Sequence, residues 1–142
     1  MRIMRKIKVA ITVDDDNGLM FNKRRQSRDK NVIADLCNKS EGFIYISQYS
    51  ALLFEEYSNR IQIVSDPLLE CPDGAYAFVE GRTLGEFLND IDELIVYNWN
   101  RLYPSDLKLD INIVDSGFKM NSKYEFVGNS HDKITKGVYR KP

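Results

Sequence analysis

Histidine is almost missing from this chain: His131 is the only one in 142 residues. A single imidazole cannot build the histidine clusters on which the usual zinc hydrolases depend. Cysteine is nearly as scarce. Cys37 and Cys71 form no CxxC pair and recur at no metal-ligand spacing, so both read as buried thiols and no metal site is expected. No GxGxxG, GxxxxGK[ST] or GxSxG occurs, and no HxE accompanies a CxxC. Dinucleotide binding of the Rossmann kind, P-loop hydrolysis, α/β-hydrolase chemistry and zinc deamination therefore lack their usual signatures. Long apolar runs are absent too, since nothing approaches the roughly 20 residues that cross a bilayer. Met1 to Lys6 is not followed by the hydrophobic stretch and small-residue cleavage site of a signal peptide. The cytoplasm is the expected compartment, with no membrane partner.

What is present is ordinary in amount: 43% apolar and 29% charged residues, with a formal charge of −1. These values fit one soluble domain over 1–142, large enough to bury roughly two thirds of its unfolded surface. A near-neutral chain does not bind nucleic acid with its whole surface, so any polyanion site has to be local.

Along the chain, Ile7 to Val13 is apolar and rich in β-branched residues, the mark of a central strand buried on both faces. Ser27 stands where an N-cap belongs, ahead of Val32, Ile33, Leu36 and Cys37 at helical spacing, and Gly42 stops that helix. Phe43 to Ile46 reads as a strand. Ser47 opens a second helix with Tyr49, Leu52, Leu53 and Tyr57 on one face. Arg60 to Ser65 and Ala75 to Glu80 are further strands, and Thr83-Leu84-Gly85-Glu86 is a capping box for a helix burying Leu84, Phe87, Leu88 and Ile91. Glu93 to Tyr97 is a fifth strand. Alternating segments follow at Leu107 to Val114 and Lys123 to Val127. From Ser130 a helix is expected, with Ile134 and Val138 four apart, Asp132 early and Arg140 and Lys141 late, although Gly137 lies in its middle. Strands alternating with helices predict a single-domain α/β sandwich whose mixed, largely parallel sheet is flanked by helices.

The segment Asp14 to Lys30 concentrates charge between a strand and a helix, where binding loops tend to sit. Its Lys23, Arg24, Arg25, Arg28 and Lys30 could clamp phosphate, and Asn22 lies beside them. The plainer account is that Asp14, Asp15 and Asp16 neutralise these cations or that solvent does. The same three acids lack an EF-hand ligand pattern. Asp29, expected in the first helical turn and facing the sheet, is a candidate general acid or a hydrogen-bonder of a heterocycle. It could equally just complement the helix N-terminus or pair with Arg25. His131 is a candidate acid or base, against the plain alternative of an exposed helix-start residue. Trp99, Arg101 and Tyr103 could stack a base at the carboxyl edge of the sheet, or could merely close the core.

Val13-Asp14-Asp15-Asp16-Asn17-Gly18-Leu19, followed by a charged loop and Asp29 entering a helix, resembles the opening of dihydrofolate reductases, where a strand, an Asn-Gly turn and an acid at a helix start form the folate site. Phe43 to Leu53, Asn59 to Ser65, Thr83 to Leu88 and Glu93 to Tyr97 fall where that family's successive elements would. The resemblance implies a dihydrofolate reductase-like fold and a divergent reductase-like enzyme with Asp29 as its polar anchor. Three segments are also similar to a group of small uncharacterised bacterial proteins that automated naming labels ribonuclease Z: Gly18 to Asp29, Val96 to Pro104, and Gly128 to Thr135. True ribonuclease Z needs a histidine-rich dimetal motif, which His131 alone does not provide, so the resemblance extends to the group and not to that activity.

Together these features describe an α/β binding protein in which Asn22, Arg24, Arg25, Arg28, Trp99, Arg101 and Tyr103 converge with Asp29 and His131. The site would take a small anionic ligand, a nucleotide or a protein partner. An RNA binder or nuclease using the Lys23 to Arg28 cluster ranks below this, because it requires those side chains to face outward together. The sequence names no cofactor.

Overall fold

The computed structural model describes residues 5–142. Residues 1–4, where the leader reading begins, lie outside them. Strand β1 (Ile7–Val13) runs parallel to a neighbour on each side and buries nearly every residue, as its β-branched sequence predicts. The charged segment after it is no open loop. Strands β2 (Gly18–Phe21) and β3 (Arg24–Arg25) form a hairpin whose turn residues, Asn22 (φ 53°) and Lys23 (φ 61°), both take the left-handed backbone of a tight primed turn.

Helix α1 (Lys30–Lys39) buries Val32, Ile33, Leu36 and Cys37, the predicted stripe. Its cap is Asp29 and not Ser27: Asp29 has extended backbone and its carboxylate accepts from Asn31 N at 2.9 Å. Strand β4 (Ile44–Ile46) follows. The predicted amphipathic helix after it is instead a 3₁₀ segment, Gln48–Arg60, kinked at Phe54 and Tyr57. The residues it buries are Ser50 and, at the kink, Phe54, while Tyr49 and Leu52 stay outside.

Next come β5 (Ile61–Ile63), a single-turn α2 (Pro67–Glu70) and β6 (Tyr76–Phe78). Thr83 does not cap the following 3₁₀ turn, Gly85–Asp90. The carboxylate of Asp110 takes the amides of Leu84 and Gly85 at 2.8 and 2.9 Å instead. Strand β7 (Ile91–Asn98) is buried almost throughout. Of Leu107 to Val114 only β8 (Leu107–Lys108) is strand, yet the alternation has a cause, since Leu109, Ile111 and Ile113 also pack on the core.

Strand β9 (Lys119–Phe126) precedes β10 (Ile134–Arg140), which replaces the helix expected from Ser130. Gly137 explains the outcome: it sits between Val96 of β7 and Lys123 of β9, and a Cβ there would lie 2.8 Å from the Tyr139 ring. A glycine that weakens a helix here admits a neighbouring ring against the sheet.

The main sheet has the order β5-β4-β6-β1-β7-β10-β9, and β3-β2-β8 forms a second, smaller sheet. Pairing is parallel among the strands from β5 to β7 and antiparallel where β10 joins β7 and β9. Alternation along β1 sends Val9 and Ile11 to one core with Leu94 and Phe118, and Ala10 to the other with α1, Ile95 and Trp99. Cys37 and Cys71 are buried free thiols, pushed up by burial to about 11 and about 12, so both stay protonated. Among the described residues no helix is long and apolar enough to cross a membrane.

Candidate functional site

The carboxyl ends of β1 and β7 lie side by side, and the chain segments leaving them are tied together by Asp14. Its Oδ1 accepts from the amides of Asp16 (2.9 Å) and Gly18 (2.7 Å), while Oδ2 accepts from Gln26 Nε2 (3.0 Å) and the amide of Tyr103 (3.1 Å). The first acid of the triplet is thus a buried staple. Asp16 pairs in solvent with Lys108 at 2.5 Å. The triplet therefore does not neutralise the cations downstream, as the sequence suggested it could.

A second carboxylate does the same work later in the chain, at Asp29. Asp29 Oδ1 accepts from the amides of Asn31 (2.9 Å) and Asn129 (2.8 Å); Oδ2 accepts from the amide of Ser130 (2.9 Å), the Ser130 hydroxyl (3.3 Å) and His131 Nδ1 (2.9 Å). Gly128 makes this approach feasible, because a Cβ there would stand 2.5 Å from Asp29 Oδ2. The side chains of Asp29 and His131 are 0% and 2% exposed. His131 is therefore neither exposed nor helical: its ring stacks on Trp99 at 4.7 Å, with an interplanar angle of 19°. In the neutral ring tautomer whose Nδ1–H donates to the carboxylate, Nε2 is the acceptor. It lies 3.0 Å from Ser27 Oγ and 3.1 Å from the Tyr103 hydroxyl.

Both stapling carboxylates respond to acid in the same direction. Burial alone would raise them, but the donated hydrogen bonds outweigh it and hold Asp14 and Asp29 below the ordinary value of 3.8. A depressed folded-state value means stability that is fully present above the unfolded value and is lost as pH falls through the folded one. Unfolding midpoints should therefore fall steeply below about pH 4, and Asp14→Asn should flatten that acid limb while lowering stability at neutral pH. A denaturant titration across pH reads both effects.

The cations disperse. Arg25 turns inward and forks onto Glu80, Nε to Oε2 at 2.8 Å and Nη2 to Oε1 at 2.9 Å, and its guanidinium lies 4.4 Å over the Tyr49 ring. The Glu80 hydrogen bond holds that guanidinium more firmly protonated than usual. Ser50 Oγ also donates to Glu80 at 2.8 Å. Its strand neighbour Arg24 points the opposite way and is exposed, as are Asn22, Arg28 and Arg101. The structure thus brings together Asp29, His131, Trp99 and Tyr103, keeps Arg28 beside them, and leaves Asn22, Arg24 and Arg101 outside this cluster. Sequence reasoning missed Ser27, Glu80 and Asn129 as parts of the site. The acid ending an apolar strand at Glu80 was a usable signal, whereas Ser27 was hidden by its resemblance to a cap.

An open groove of about 430 Å³ runs between the start of α1 and the 3₁₀ segment. Ile33, Leu52, Leu53 and Tyr57 are its apolar lining, and Arg28, Lys30, Glu55 and Glu56 line it as well. A separate narrow pocket with about 10 Å³ of space, room for one water, shares Arg28, Asp29, Ile33 and Leu53 with the groove and is lined also by Ser27, Phe78, Glu80 and Trp99.

A mixed sheet of this order, with α1 packed beside the carboxyl ends of β1 and β7, is the dihydrofolate reductase-like fold. The chain is similar to a solved dihydrofolate reductase from Enterococcus faecalis, complexed with NADP(H) and RAB-propyl. The match has a TM-score of 0.62 at 10% identity and covers 94% of this chain and 95% of that one. At that identity the likeness is one of fold. No protein-family model matches the chain, and no curated protein matches its sequence.

Proposed function

We propose that this is a ligand-binding protein whose groove beside α1 takes a small, partly apolar molecule with an anionic group. One observation carries the reading: Leu52, 76% exposed, lines the groove with half-buried Leu53 and Tyr57, over a floor that includes buried Ile33, and Arg28 and Lys30 line it alongside Glu55 and Glu56. Large apolar side chains left in water around a concave surface mark binding grooves. Lys30 meets Glu56 only at 3.8 Å and both are mostly exposed, so a ligand anion displaces a weak pair. The fold of the solved reductase holds NADP(H) and RAB-propyl, which supports small-molecule binding by a sheet of this shape.

A reductase reading with Asp29 as the anchor of a heterocycle has less support. Each of its carboxylate oxygens already receives donors from this chain, and the groove meets it from the side of Asn129 and Ser130. An RNA-binding reading meets a similar obstacle in Arg25, which is spent on Glu80.

Thermal-shift measurement with a panel of aryl carboxylates and aryl phosphates tests the proposal. A compound at a hundredfold excess over its Kd should stabilise by about 2.7 kcal/mol, seen as a Tm rise of about 5–10 °C. Leu52→Asp and Lys30→Ala, both surface changes, should each weaken that binding by about tenfold. A shift that survives both variants unchanged would place the ligand elsewhere, and a silent panel would remove the anionic-ligand reading.

A further inference from the structure

Ser27, His131 and Asp29 stand in the order nucleophile, base and orienting acid. Ser27 Oγ is 3.0 Å from His131 Nε2, and His131 Nδ1 is 2.9 Å from Asp29 Oδ2. The geometry points to a serine-nucleophile site that hydrolyses a small carboxylic ester. Such a triad is recognised by geometry and not by sequence order or fold.

Each part is held as the chemistry requires. The amides of Asn31, Asn129 and Ser130 fix the Asp29 carboxylate, and Trp99 fixes the plane of the imidazole, so Nε2 can face only Ser27 and Tyr103. Asp29 is a positioning residue, because it acts through His131. Ser27 is half-buried and lines the narrow pocket, where an acyl group would approach it. The Tyr103 hydroxyl lies 3.5 Å from Ser27 Oγ, close enough to donate to an oxyanion formed on the carbon that Oγ attacks.

The steps balance. Ser27 Oγ bonds to the ester carbonyl carbon and gives its proton to His131 Nε2. The carbon–oxygen bond to the alcohol breaks, and the departing oxygen takes that proton. Water then gives a proton to His131 as it attacks the acyl-Ser27 ester, and release of the carboxylic acid returns the proton to Ser27. The narrow pocket has room for one water-sized group, so it favours the smallest acyl parts, and the alcohol part would lie in the wider groove.

The choice of substrate rests on the groove proposed above, but the nucleophile does not. Diisopropyl fluorophosphate is therefore a suitable probe. It forms a phosphorus–oxygen bond to an activated serine with loss of fluoride, and it needs none of the groove, so failure of labelling and failure of groove binding are distinguishable. Intact mass and peptide mapping should show one adduct, on Ser27, in the folded wild-type protein and none in the denatured chain. Ser27→Ala should abolish it, and His131→Gln should slow it by about a hundredfold or more with circular dichroism unchanged. Asp29→Asn should lower the maximal labelling rate while leaving the half-saturating probe concentration in place, a split that a purely structural role would not produce. No adduct on the folded wild-type protein, an adduct on another residue, or a rate indifferent to His131→Gln in a folded variant overturns the inference.

Discussion

Arg25→Ala lowers the unfolding free energy by about 3–5 kcal/mol, the usual cost of stranding one partner of a buried ion pair. The Glu80 side chain is only 5% exposed and loses both guanidinium bonds at once, keeping just the Ser50 hydroxyl. The hairpin that carries Arg25 also loses its hold on Tyr49, whose carbonyl accepts from the same guanidinium at 3.0 Å. A denaturant titration measures the loss. The cause is the stranded charge and not missing contact area, so Arg25→Ala/Glu80→Gln should recover at least about half of it. A double variant that is merely additive would mean that the pair contributes through packing alone.

Asp29→Ala costs a comparable amount, about 3–5 kcal/mol, through two separable losses. One is the cap on α1. The other is the anchorage of Gly128 to His131, where the amides of Asn129 and Ser130 and the imidazole all lose their acceptor. Asp29→Asn separates them. Its side-chain oxygen still caps the helix and returns about 1 kcal/mol, but its NH₂ group now faces donors on the loop side. The expected order of stability is wild type, then Asp29→Asn, then Asp29→Ala, and the loop 128–131 should lose hydrogen-exchange protection in both variants. Equal stabilities for Asn and Ala would show that the cap carries nothing.

The legible part of this fold was whatever packing decides locally. Ile7 to Val13 and the Val32, Ile33, Leu36, Cys37 stripe are each buried by one continuous surface, so periodicity alone located them. Ile134 and Val138 misled for a simple reason: residues four apart share a face in a strand as well as in a helix. Only Gly137 and the β-branched residues around it separated the two cases, and the decisive factor was the place between β7 and β9, which is long-range. The 3₁₀ segment had no signature of its own, because its Leu52 and Leu53 satisfy a helical pattern although the chain leaves Leu52 in water.

The site was half legible. Asp29 and His131 could each be singled out by residue type and position, but they stand 102 residues apart, and their contact depends on loop 128–131 folding back over the start of α1. The charge cluster was misleading in a different way. Strand alternation sends Arg24 and Arg25 to opposite sides, so Arg25 is withdrawn onto Glu80 from the cluster that the sequence suggested.

That convergence is most directly tested by a double-mutant cycle on Asp29→Asn and His131→Gln, read as unfolding free energy. Two buried groups 2.9 Å apart should couple by at least about 1 kcal/mol. Single variants that add to within about 0.5 kcal/mol would show that Asp29 and His131 do not meet, and the site described here would dissolve into separate surfaces.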